Sequence, residues 1–585
     1  MTTPLLSTSN LRVGFGRDPS KNEIVKGVSF DLAAGETLAI VGESGSGKSV
    51  TALSINRLVD FGGGRIIGGS IDFKRRDGSI LDLAQAGEPV LEKIRGSEIG
   101  MIFQEPMTSL NPVLTIGTQI EESFRLHRGL TGRQATAAAR DALDRVRIPD
   151  AARRLKYCPN QLSGGMLQRV MIATALACNP RLLIADEPTT ALDVTVQAQI
   201  MALLGELKHE TGMAMIFITH DIGLVAGIAD KIMVMQAGEA VEQGQLDQVL
   251  DRPQHPYTRH LLSAVPHFES GRAARADFRR EKAKPPALSV DGLTVRFKVS
   301  GGLLGRSPGS VHAVENVGFD LMPGETLAIV GESGSGKSTT ARAILGLVRP
   351  TRGRFSAHGL TERAGSVADA TDPATQMVFQ NPYASLNPRL RIDSILAEPV
   401  IAAGGRITTE TRDKMKALLK RVGLPEDSLE RYPHQFSGGQ RQRLCIARAL
   451  MLNPSVVVLD EAVSALDVSV QAKVLELLVD LQKEYGLAYL FVSHDMAVVE
   501  RIAHRIAVLY AGQIVEIGDA ASVLSNPQHS YTKRLISAVP SIDRRNQHFE
   551  LDTRQVPSLV RPPGFEPPEP QWRDFGPDHR ARAEA

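Results

Sequence analysis

Short, wholly apolar runs interrupt the mixed pattern of the chain, and polar residues follow each of them. The run LAIV at 38–41 leads into a glycine-rich loop and a helical pattern, while LLIA at 182–185 and MIFI at 215–218 end close to Asp186 and His220. A strand covered on both faces needs successive apolar residues, so these runs predict buried strands of a parallel sheet. The carboxyl ends of such strands lie along one edge of an α/β sheet, so the polar residues should meet in one region.

The region 121–160 has a different pattern, in which Arg, Ala, Leu and Asp alternate in a helical manner without strand-like runs. This pattern predicts a helical subdomain inserted into the sheet domain. The segment at about 390–433 repeats it. The predicted fold class is therefore α/β, with an inserted α-helical part.

The chain contains the same series of motifs twice. The fifteen letters GETLAIVGESGSGKS stand at 35–49 and again at 324–338, and FQEPMTSLNP, LSGGMLQR, ADEPTTALDV and ITHD each have a later counterpart in the same order. Gly331 lies 289 residues after Gly42, whereas Ser437 lies 274 residues after Ser163. A repeat of this length indicates two whole domains rather than a solenoid. Most of the difference in length falls between the glycine-rich loop and the FQ motif.

The repeat and the local composition together predict the domain boundaries. We expect a first domain at 1–266, a linker at 267–286, a second domain at 287–540 and a C-terminal extension at 541–585. The linker is charged and ends in Pro-Pro, a composition that cannot bury a core. The extension is rich in Pro, Arg and acidic residues, which fits either disorder or a strap lying on the surface.

Composition and charge exclude several classes of protein. Apolar residues make up 42% and the formal net charge is +2, which is typical of a globular protein and gives no support to nucleic-acid binding. No run approaches the roughly 20 apolar residues of a membrane-spanning helix, and the first residues do not resemble a signal peptide. Cys158, Cys178 and Cys445 form no CxxC pair, so we expect a reduced compartment and buried, unreactive thiols.

The duplicated glycine-rich loop matches the phosphate-binding pattern GxxxxGK[ST]. Its glycines let backbone N–H groups turn toward phosphate oxygens, Lys48 should reach the β- and γ-phosphates, and Ser49 should hold Mg²⁺. Lys337 and Ser338 occupy the same places in the second copy. The other loop residues expected to contact nucleotide are Gly42, Ser44, Gly45, Gly47, Val50, Gly331, Ser333, Gly334, Gly336 and Thr339.

A pair of carboxylates follows one buried strand of each domain. Asp186 and Asp460 end apolar runs, where a carboxylate is costly unless it meets a cation or a polar network, so we expect them to serve Mg²⁺. Glu187 and Glu461 come one residue later and can polarise the water that attacks the γ-phosphate. A lone Asp-Glu pair is usually surface charge, but the position after a buried strand favours catalysis.

The motif LSGGMLQR, lying between the phosphate loop and ADEPTTALD, resembles the signature of the ATP-binding-cassette (ABC) family, and the resemblance covers almost the whole chain twice. It implies two P-loop NTPase domains in tandem, each with a RecA-like sheet core, an antiparallel β part and a helical subdomain. In that family two domains dimerise head to tail, and each ATP lies between one phosphate loop and the opposite signature. A helix N-terminus at Ser-Gly-Gly can stabilise the γ-phosphate from that opposite side.

The same resemblance implies the membership of two composite sites. The first site joins a phosphate-loop half to the second signature, and its members are Lys48, Ser49, Gln104, Asp186, Glu187, His220, Ser437, Gly438, Gly439 and Gln440. The second joins Lys337, Ser338, Gln380, Asp460, Glu461, His494, Ser163, Gly164 and Gly165. Gln104 and Gln380 would contact Mg²⁺ or the attacking water, and His220 and His494 would hold the γ-phosphate.

Further roles and two departures follow from the family pattern. Asp193 and Asp467 would cross-link the two sites, and Phe15 and Phe297 would stack on adenine, although a phenylalanine in this position can also be part of the core. Met166 replaces the Gln seen at Gln440, and Ala462 replaces the Pro seen at Pro188. Neither departure removes a phosphate ligand or a catalytic carboxylate, so we expect ATP hydrolysis at both sites.

The segments PQHPYTRHLLSAVP (253–266) and PQHSYTKRLISAVP (527–540) resemble the C-terminal motif of ATP-binding subunits in the dipeptide, oligopeptide and nickel import family. That resemblance implies an importer motor at the cytoplasmic face of the bacterial inner membrane. Its partners would be two membrane-spanning permease subunits and an extracytoplasmic solute-binding protein, without direct cargo contact. No Cys follows Cys445, so no iron–sulfur cluster is expected. The alternative is a soluble tandem ABC factor acting on ribosomes or nucleic acid. The cargo stays open: peptides are expected first, and nickel chelates, glutathione-like thiols and sugar or opine conjugates are the alternatives.

Overall fold

A computed structural model describes residues 3–190, 192–264, 285–299, 309–357, 374–464, 466–540, 557–576 and 578–584. The chain folds as two compact units, one formed mainly by residues up to 264 and the other mainly by residues from 285 onward. Most of the predicted linker and the first part of the predicted extension lie outside the described residues. Within the described part, no helix combines the length and the apolar composition needed to cross a bilayer.

The described strands of the first unit form an antiparallel sheet and a mainly parallel sheet. They are β1 (Leu6–Phe15), β2 (Glu23–Leu32), β3 (Thr37–Val41), β4 (Gly64–Lys74), β5 (Ile80–Asp82), β6 (Ile99–Ile102), β7 (Leu182–Asp186), β8 (Ala214–Thr219), β9 (Lys231–Gln236) and β10 (Glu239–Gln245). The antiparallel sheet has the order β2-β1-β4-β5, and the second sheet has the order β10-β9-β3-β8-β7-β6, with β10 as its antiparallel edge.

The parallel strands are buried on both faces, as the apolar runs predict. In β7, Leu182 and Ile184 pack into a cluster with the antiparallel sheet, whereas Leu183 and Ala185 pack against the helices on the opposite face. Successive side chains of a strand point to opposite faces, so a strand between two layers must be apolar throughout. The core therefore lies on both sides of this sheet and leaves its carboxyl edge for polar residues.

The helices of the first unit include the predicted helical region, in which the structure has Ile116–Arg128, Gly132–Arg145 and Ala151–Arg154. The other α-helices are Lys48–Ile55, Glu88–Ile94, Pro106–Ser109, Gly164–Leu176, Val194–Thr211, Ile222–Val225, Leu246–Asp251 and Pro256–Ala264, with 3₁₀ turns at Leu58–Gly62 and Pro159–Gln161. Ile120, Phe124, Ala139 and Leu143 share one cluster, which holds the helical region together.

The second unit repeats this plan. Its strands are β11 (Leu288–Lys298), β12 (Ser310–Leu321), β13 (Thr326–Val330), β14 (Arg352–Ala357), β15 (Thr375–Val378), β16 (Val456–Asp460), β17 (Ala488–Ser493), β18 (Arg505–Tyr510) and β19 (Gln513–Asp519), to which the C-terminal segment adds β20 (Val560–Arg561), β21 (Trp572–Gly576) and β22 (His579–Arg582). The sheet orders are β14-β11-β12-β20 and β15-β16-β17-β13-β18-β19-β22-β21.

The helices of the second unit correspond to those of the first, with the helical region at Ile392–Ala402 and Thr409–Arg421. The others are Lys337–Ile344, Pro382–Ser385, Gly438–Leu450, Val468–Tyr485, Met496–Ile502, Ala520–Ser525 and Ser530–Ser537, with 3₁₀ turns at Glu426–Glu430 and Pro433–Gln435. The predicted α/β class, with an antiparallel sheet and an inserted helical region in each half, is confirmed.

The described part of the C-terminal segment lies on the second unit as a strap. β20 pairs with β12, and the hairpin β21–β22 pairs through β22 with the outer edge of β19. Glu566 binds Arg296 with its two oxygens at 3.0 and 2.6 Å and also binds Arg352 at 3.0 Å. The strap therefore covers the outer edge of β19. In the described first unit the corresponding edge, at β10, has no strand paired to it.

Candidate functional site

The glycine-rich loop of the first unit connects β3 to the helix Lys48–Ile55 at the carboxyl edge of the sheet. Gly47 has φ 98°, and a Cβ on Gly42 would stand 2.3 Å from the Met235 carbonyl oxygen, so both positions require glycine. Lys48 Nζ donates to the carbonyl oxygens of Gly42 and Glu43, at 2.8 Å each. The loop thus closes around the buried ammonium group that is predicted to bind phosphate.

A hydroxyl and a carboxylate meet beside this loop, at the end of β7. Ser49 Oγ donates to Asp186 Oδ1 at 3.0 Å. Burial raises the pKa of Asp186 to about 6, although the hydrogen bond from Ser49 acts to lower it. A hydroxyl and a buried carboxylate are hard oxygen donors of the kind Mg²⁺ takes, and a cation would compensate the cost of burying the carboxylate. The residues present therefore fit a magnesium ion.

The carboxylate of Glu187 is the centre of a hydrogen-bonded group. It accepts from Gln104 Nε2 at 3.0 Å and from Thr190 Oγ1 at 2.8 Å, and His220 Nδ1 lies 3.4 Å away. Burial acts to raise the pKa of Glu187, but His220, Thr190 and Lys48 together lower it to about 2. Its φ of 47° is unusual for a residue with a side chain, a kind of backbone strain that is concentrated at functional sites.

The second unit has the same arrangement. Lys337 Nζ donates to the carbonyl oxygens of Gly331 at 2.7 Å and Glu332 at 2.9 Å, and Ser338 Oγ donates to Asp460 Oδ1 at 2.9 Å. These bonds reproduce those of Lys48 and Ser49 to within about 0.1 Å. Burial raises the pKa of Asp460 as it does that of Asp186.

The Glu461 group repeats the Glu187 group with one difference. Gln380 Nε2 donates to Glu461 Oε2 at 2.6 Å, His494 Nδ1 lies 3.1 Å from Oε1, and φ of Glu461 is again 47°. Burial opposes both charges, yet the pairing lowers the pKa of Glu461 and raises that of His494. Ser464, however, donates to the Glu461 backbone oxygen, whereas Thr190 donates to the Glu187 carboxylate.

The two Ser-Gly-Gly motifs begin helices, as predicted. Ser163 and Ser437 are the N-cap residues of Gly164–Leu176 and Gly438–Leu450, and each side chain accepts from the backbone N–H three residues later at 3.4 Å. A Cβ on Gly439 would lie 2.4 Å from Val470 Cγ1, and Gly165 has the same relation to Val196 at 2.7 Å. Among the described contacts, neither serine joins the carboxylate network of its own unit.

The remaining predicted residues lie around these centres. Phe15 ends β1 and packs partly against the core of its unit, whereas the side chain of Phe297 near the end of β11 is 44% exposed. Phe297 is therefore exposed enough to contact a ligand, whereas the partial packing of Phe15 also fits a core residue. Asp193 and Asp467 directly precede the helices Val194–Thr211 and Val468–Tyr485.

Two functional contacts were not expected from the sequence. Tyr257 Oη accepts from the Glu43 N–H at 3.1 Å, and Tyr531 Oη accepts from the Glu332 N–H at 2.8 Å. These tyrosines belong to the duplicated PQHPY and PQHSY segments, so the duplication was the available signal. The contact itself joins residues 214 and 199 positions apart, which no local pattern indicates.

Comparison with known families identifies both halves of the chain. The family model described as "ABC transporter" matches residues 25–190 and 314–464, and the model described as "Oligopeptide/dipeptide transporter, C-terminal region" matches 241–290 and 515–566. The first matches cover the phosphate loops and the glutamates Glu187 and Glu461, but end before His220 and His494. The second matches cover the segments that carry Tyr257 and Tyr531.

Curated relatives match along nearly the whole chain. "Glutathione import ATP-binding protein GsiA" of Pectobacterium atrosepticum is 50% identical over 96% of this chain and 94% of that protein. The protein of the same name in Escherichia coli K12 is 49% identical over 98% of this chain and 96% of that protein. A solved dimeric ATP-binding cassette in a post-hydrolysis state, bound to ADP and Pi, is 31% identical over 41% of this chain and 98% of that chain, with a TM-score of 0.36.

Proposed function

We propose, since this chain belongs to the ABC transporter family and is an ATP-binding subunit of an importer, that it binds two ATP molecules at two composite sites and couples their hydrolysis to uptake of a peptide. The observation that carries this proposal is the duplicated group of phosphate-loop lysine, hydroxyl–carboxylate pair and glutamate–glutamine–histidine network. The relatives are importer subunits, so the family supports this activity and not the ribosome or nucleic-acid factor.

Each composite site combines a phosphate loop with the Ser-Gly-Gly helix of the other half. In the first site, Lys48 moves from the carbonyl oxygens of Gly42 and Glu43 to the phosphates, while the helix beginning at Gly438 supplies N–H groups toward the γ-phosphate. The second site uses Lys337 and the helix beginning at Gly164. The family arrangement supports this pairing, and the helix N-termini offer the required donors.

Glu187 and Glu461 act as the bases that accept a proton from the attacking water. The pKa of Glu187 is about 2 while His220 lies beside it, so the carboxylate is a weak base in this arrangement. The negative charge of a γ-phosphate raises that pKa and attracts the His220 imidazole away from the carboxylate. Gln104 and Gln380, already bonded to the carboxylates, orient the water. His220 and His494 stabilise the phosphate charge that develops in the transition state.

Ser49, Asp186 and Gln104 would hold Mg²⁺ in the first site, and Ser338, Asp460 and Gln380 in the second. The ion, when bound, neutralises charge on the phosphate oxygens. Burial of the two aspartates beside a hydroxyl supports this assignment. Phe15 and Phe297 stack on the adenines, with the exposed ring of Phe297 offering the clearer surface.

The chain works with membrane-spanning permease subunits, because an ATP-binding subunit of an importer moves its cargo through them. We propose two such subunits, an extracytoplasmic solute-binding protein that selects the cargo, and a peripheral position at the cytoplasmic face of the membrane. The cargo proposed first is glutathione or a peptide of similar size, which the names of the relatives support.

Uptake of radiolabelled glutathione by the native host tests this function. Deletion of the gene should abolish uptake, the intact chain should restore it, and the Lys48→Ala/Lys337→Ala chain, which loses its phosphate contacts, should not. Purified chain should hydrolyse ATP, and hydrolysis should rise when the permease and binding proteins are present with cargo. A purified intact chain without ATPase activity would overturn the motor. Normal ATPase with uptake of other peptides but not glutathione would change only the cargo.

A further inference from the structure

We infer that Tyr257 and Tyr531 are positioning residues that hold the phosphate loop of their own unit in the conformation that receives ATP. The inference rests on the proposed function, since it concerns how the ATP site is built. It assigns a role to the oligopeptide-type C-terminal region, which would otherwise only follow the cassette along the chain.

The hydrogen bond to Tyr531 joins the part of the loop that also contacts the Lys337 ammonium group. Tyr531 Oη accepts from the N–H of Glu332, and the carbonyl oxygens of Gly331 and Glu332 are the two acceptors of the Lys337 ammonium. The peptide groups around Glu332 are therefore held from the N–H side by the tyrosine and from the C=O side by the lysine. When Lys337 leaves for the phosphates, the tyrosine bond remains to keep this part of the loop in place.

The tyrosine itself is fixed by its surroundings. Tyr531 is 3% exposed, its ring stacks on Tyr510 with centroids 4.2 Å apart, and the Arg534 guanidinium lies 5.0 Å from its ring centre. Arg534 also lies 3.7 Å from the Glu332 carboxylate, so the same helix contacts this residue twice. Burial raises the pKa of Tyr531, so its hydroxyl stays neutral.

The start of the tyrosine helix is anchored to the neighbouring strand. Glu516 of β19 accepts from the N–H groups of Gln528 and His529 at 2.8 and 2.9 Å, and His529 Nδ1 accepts from the Tyr531 N–H at 3.1 Å. The histidine thus caps the helix on which the tyrosine stands. The letters Gln-His-x-Tyr therefore have a structural meaning: they bind a strand, cap a helix and direct a hydroxyl at the phosphate loop.

The first unit repeats this construction, with a longer hydrogen bond between the loop and the tyrosine. Glu242 of β10 accepts from the N–H groups of Gln254 and His255 at 2.7 and 3.0 Å, and His255 Nδ1 accepts from the Tyr257 N–H at 3.2 Å. The bond from Glu43 to Tyr257 is 3.1 Å long, and Tyr257 is only half-buried. Water can replace the hydroxyl more easily here, so Tyr257 should matter less than Tyr531.

The test removes one oxygen atom from each tyrosine. In the full-length chain, Tyr531→Phe leaves a buried N–H of Glu332 without its acceptor, so the loop relaxes before ATP arrives. We expect ATP affinity at one of the two sites, measured by calorimetry in Mg²⁺-free buffer, to fall about tenfold, which equals about 1.4 kcal/mol. Tyr257→Phe should weaken the other site by about threefold. Because binding alone is affected, KM should rise while kcat stays within about twofold.

Tyr489→Phe is the matched control. Tyr489 lies in the same unit, is 1% exposed and donates to the Leu478 carbonyl oxygen at 2.9 Å, so its hydroxyl bonds a helix and not the phosphate loop. Its variant should lower the melting temperature but leave ATP affinity unchanged. If Tyr531→Phe instead lowers the melting temperature like Tyr489→Phe and keeps wild-type affinity and KM, the positioning role is wrong. If the intact chain itself bound no ATP, the proposed function would be wrong. The binding measurement on the intact chain therefore distinguishes this outcome from failure of the positioning role.

Discussion

Replacement of both catalytic glutamates by glutamine, in Glu187→Gln/Glu461→Gln, separates ATP binding from ATP hydrolysis most sharply. Glutamine keeps the size of the side chain and an oxygen that can accept from Gln104 or Gln380, so the hydrogen-bonded groups at 3.0 and 2.6 Å can persist. The changed property is the negative charge, and with it the ability to accept a proton from water.

The expected magnitude follows from the role of the lost group. A positioned general base contributes about 10²–10⁴-fold, so kcat should fall by about that factor, or by about 2.7–5.4 kcal/mol of transition-state stabilisation. ATP affinity should not fall, because a carboxylate near Lys48 or Lys337 repels the phosphate charge and its removal relieves that repulsion. The double variant should therefore bind ATP at least as tightly as the unmodified chain.

The assay is steady-state phosphate release by the purified full-length chain, together with nucleotide binding. Each single variant belongs in the same series: if the two sites turn over equally and independently, Glu187→Gln and Glu461→Gln should each keep about half of the activity. Glu484→Gln is a suitable control, since Glu484 pairs with Arg421 in the last turn of the helix Val468–Tyr485 and takes no part in the glutamate networks, so this variant should leave turnover unchanged. A double variant that retains near-normal kcat would refute the assignment of these glutamates as bases.

Two further predictions concern the C-terminal half. Truncation after residue 556 removes β20, β21 and β22 and uncovers the edge of β19. In calorimetry the second unit should then melt at a lower temperature while the first unit keeps its transition, and the chain should aggregate more readily because a strand edge is exposed. Unchanged melting of the second unit would contradict the stabilising role of the strap. Burial lowers the pKa of His529 and outweighs the opposite effect of the Glu584 and Glu516 carboxylates. The folded state therefore favours the neutral ring that caps the helix. A histidine whose pKa is lowered by folding stabilises the folded state fully above its unfolded pKa of about 6.5, and this stabilisation is lost as the pH falls below that value. Acidification from about pH 7.5 to 5.5 should therefore narrow the difference in melting temperature between the intact chain and His529→Asn. A difference that stays constant over this range would contradict the role of the neutral ring.

Several parts of the site could be predicted because the chemistry imposes a local pattern. Gly42 and Gly47 must be glycine where the backbone meets the Met235 carbonyl or adopts a positive φ, and Lys48 and Ser49 must follow at a fixed distance along the helix. Asp186 and Glu187 follow a strand that burial makes wholly apolar, so that their place at the sheet edge could be inferred from four letters before them. The Ser-Gly-Gly helix starts were predictable for the same reason.

Other features depend on contacts between residues far apart in the chain. Thr190 donates to the Glu187 carboxylate, whereas Ser464 donates to a backbone oxygen. This contact distinguishes the two sites, although the two motifs have almost the same sequence. The extension offered two interpretations, and its described part became a strap because β12 and β19 had free edges to pair with and Arg296 could bind Glu566.

The sequence by itself determined the duplicated α/β plan, the phosphate loops and the carboxylates, because each of these requires particular residues next to one another along the chain. Only the tertiary structure decided that Tyr257 and Tyr531 reach the loops and that the described last strands pair with sheets of the second unit. Those contacts form between segments brought together by packing of the whole unit, and a hydroxyl or a strand edge has no sequence pattern that identifies its partner.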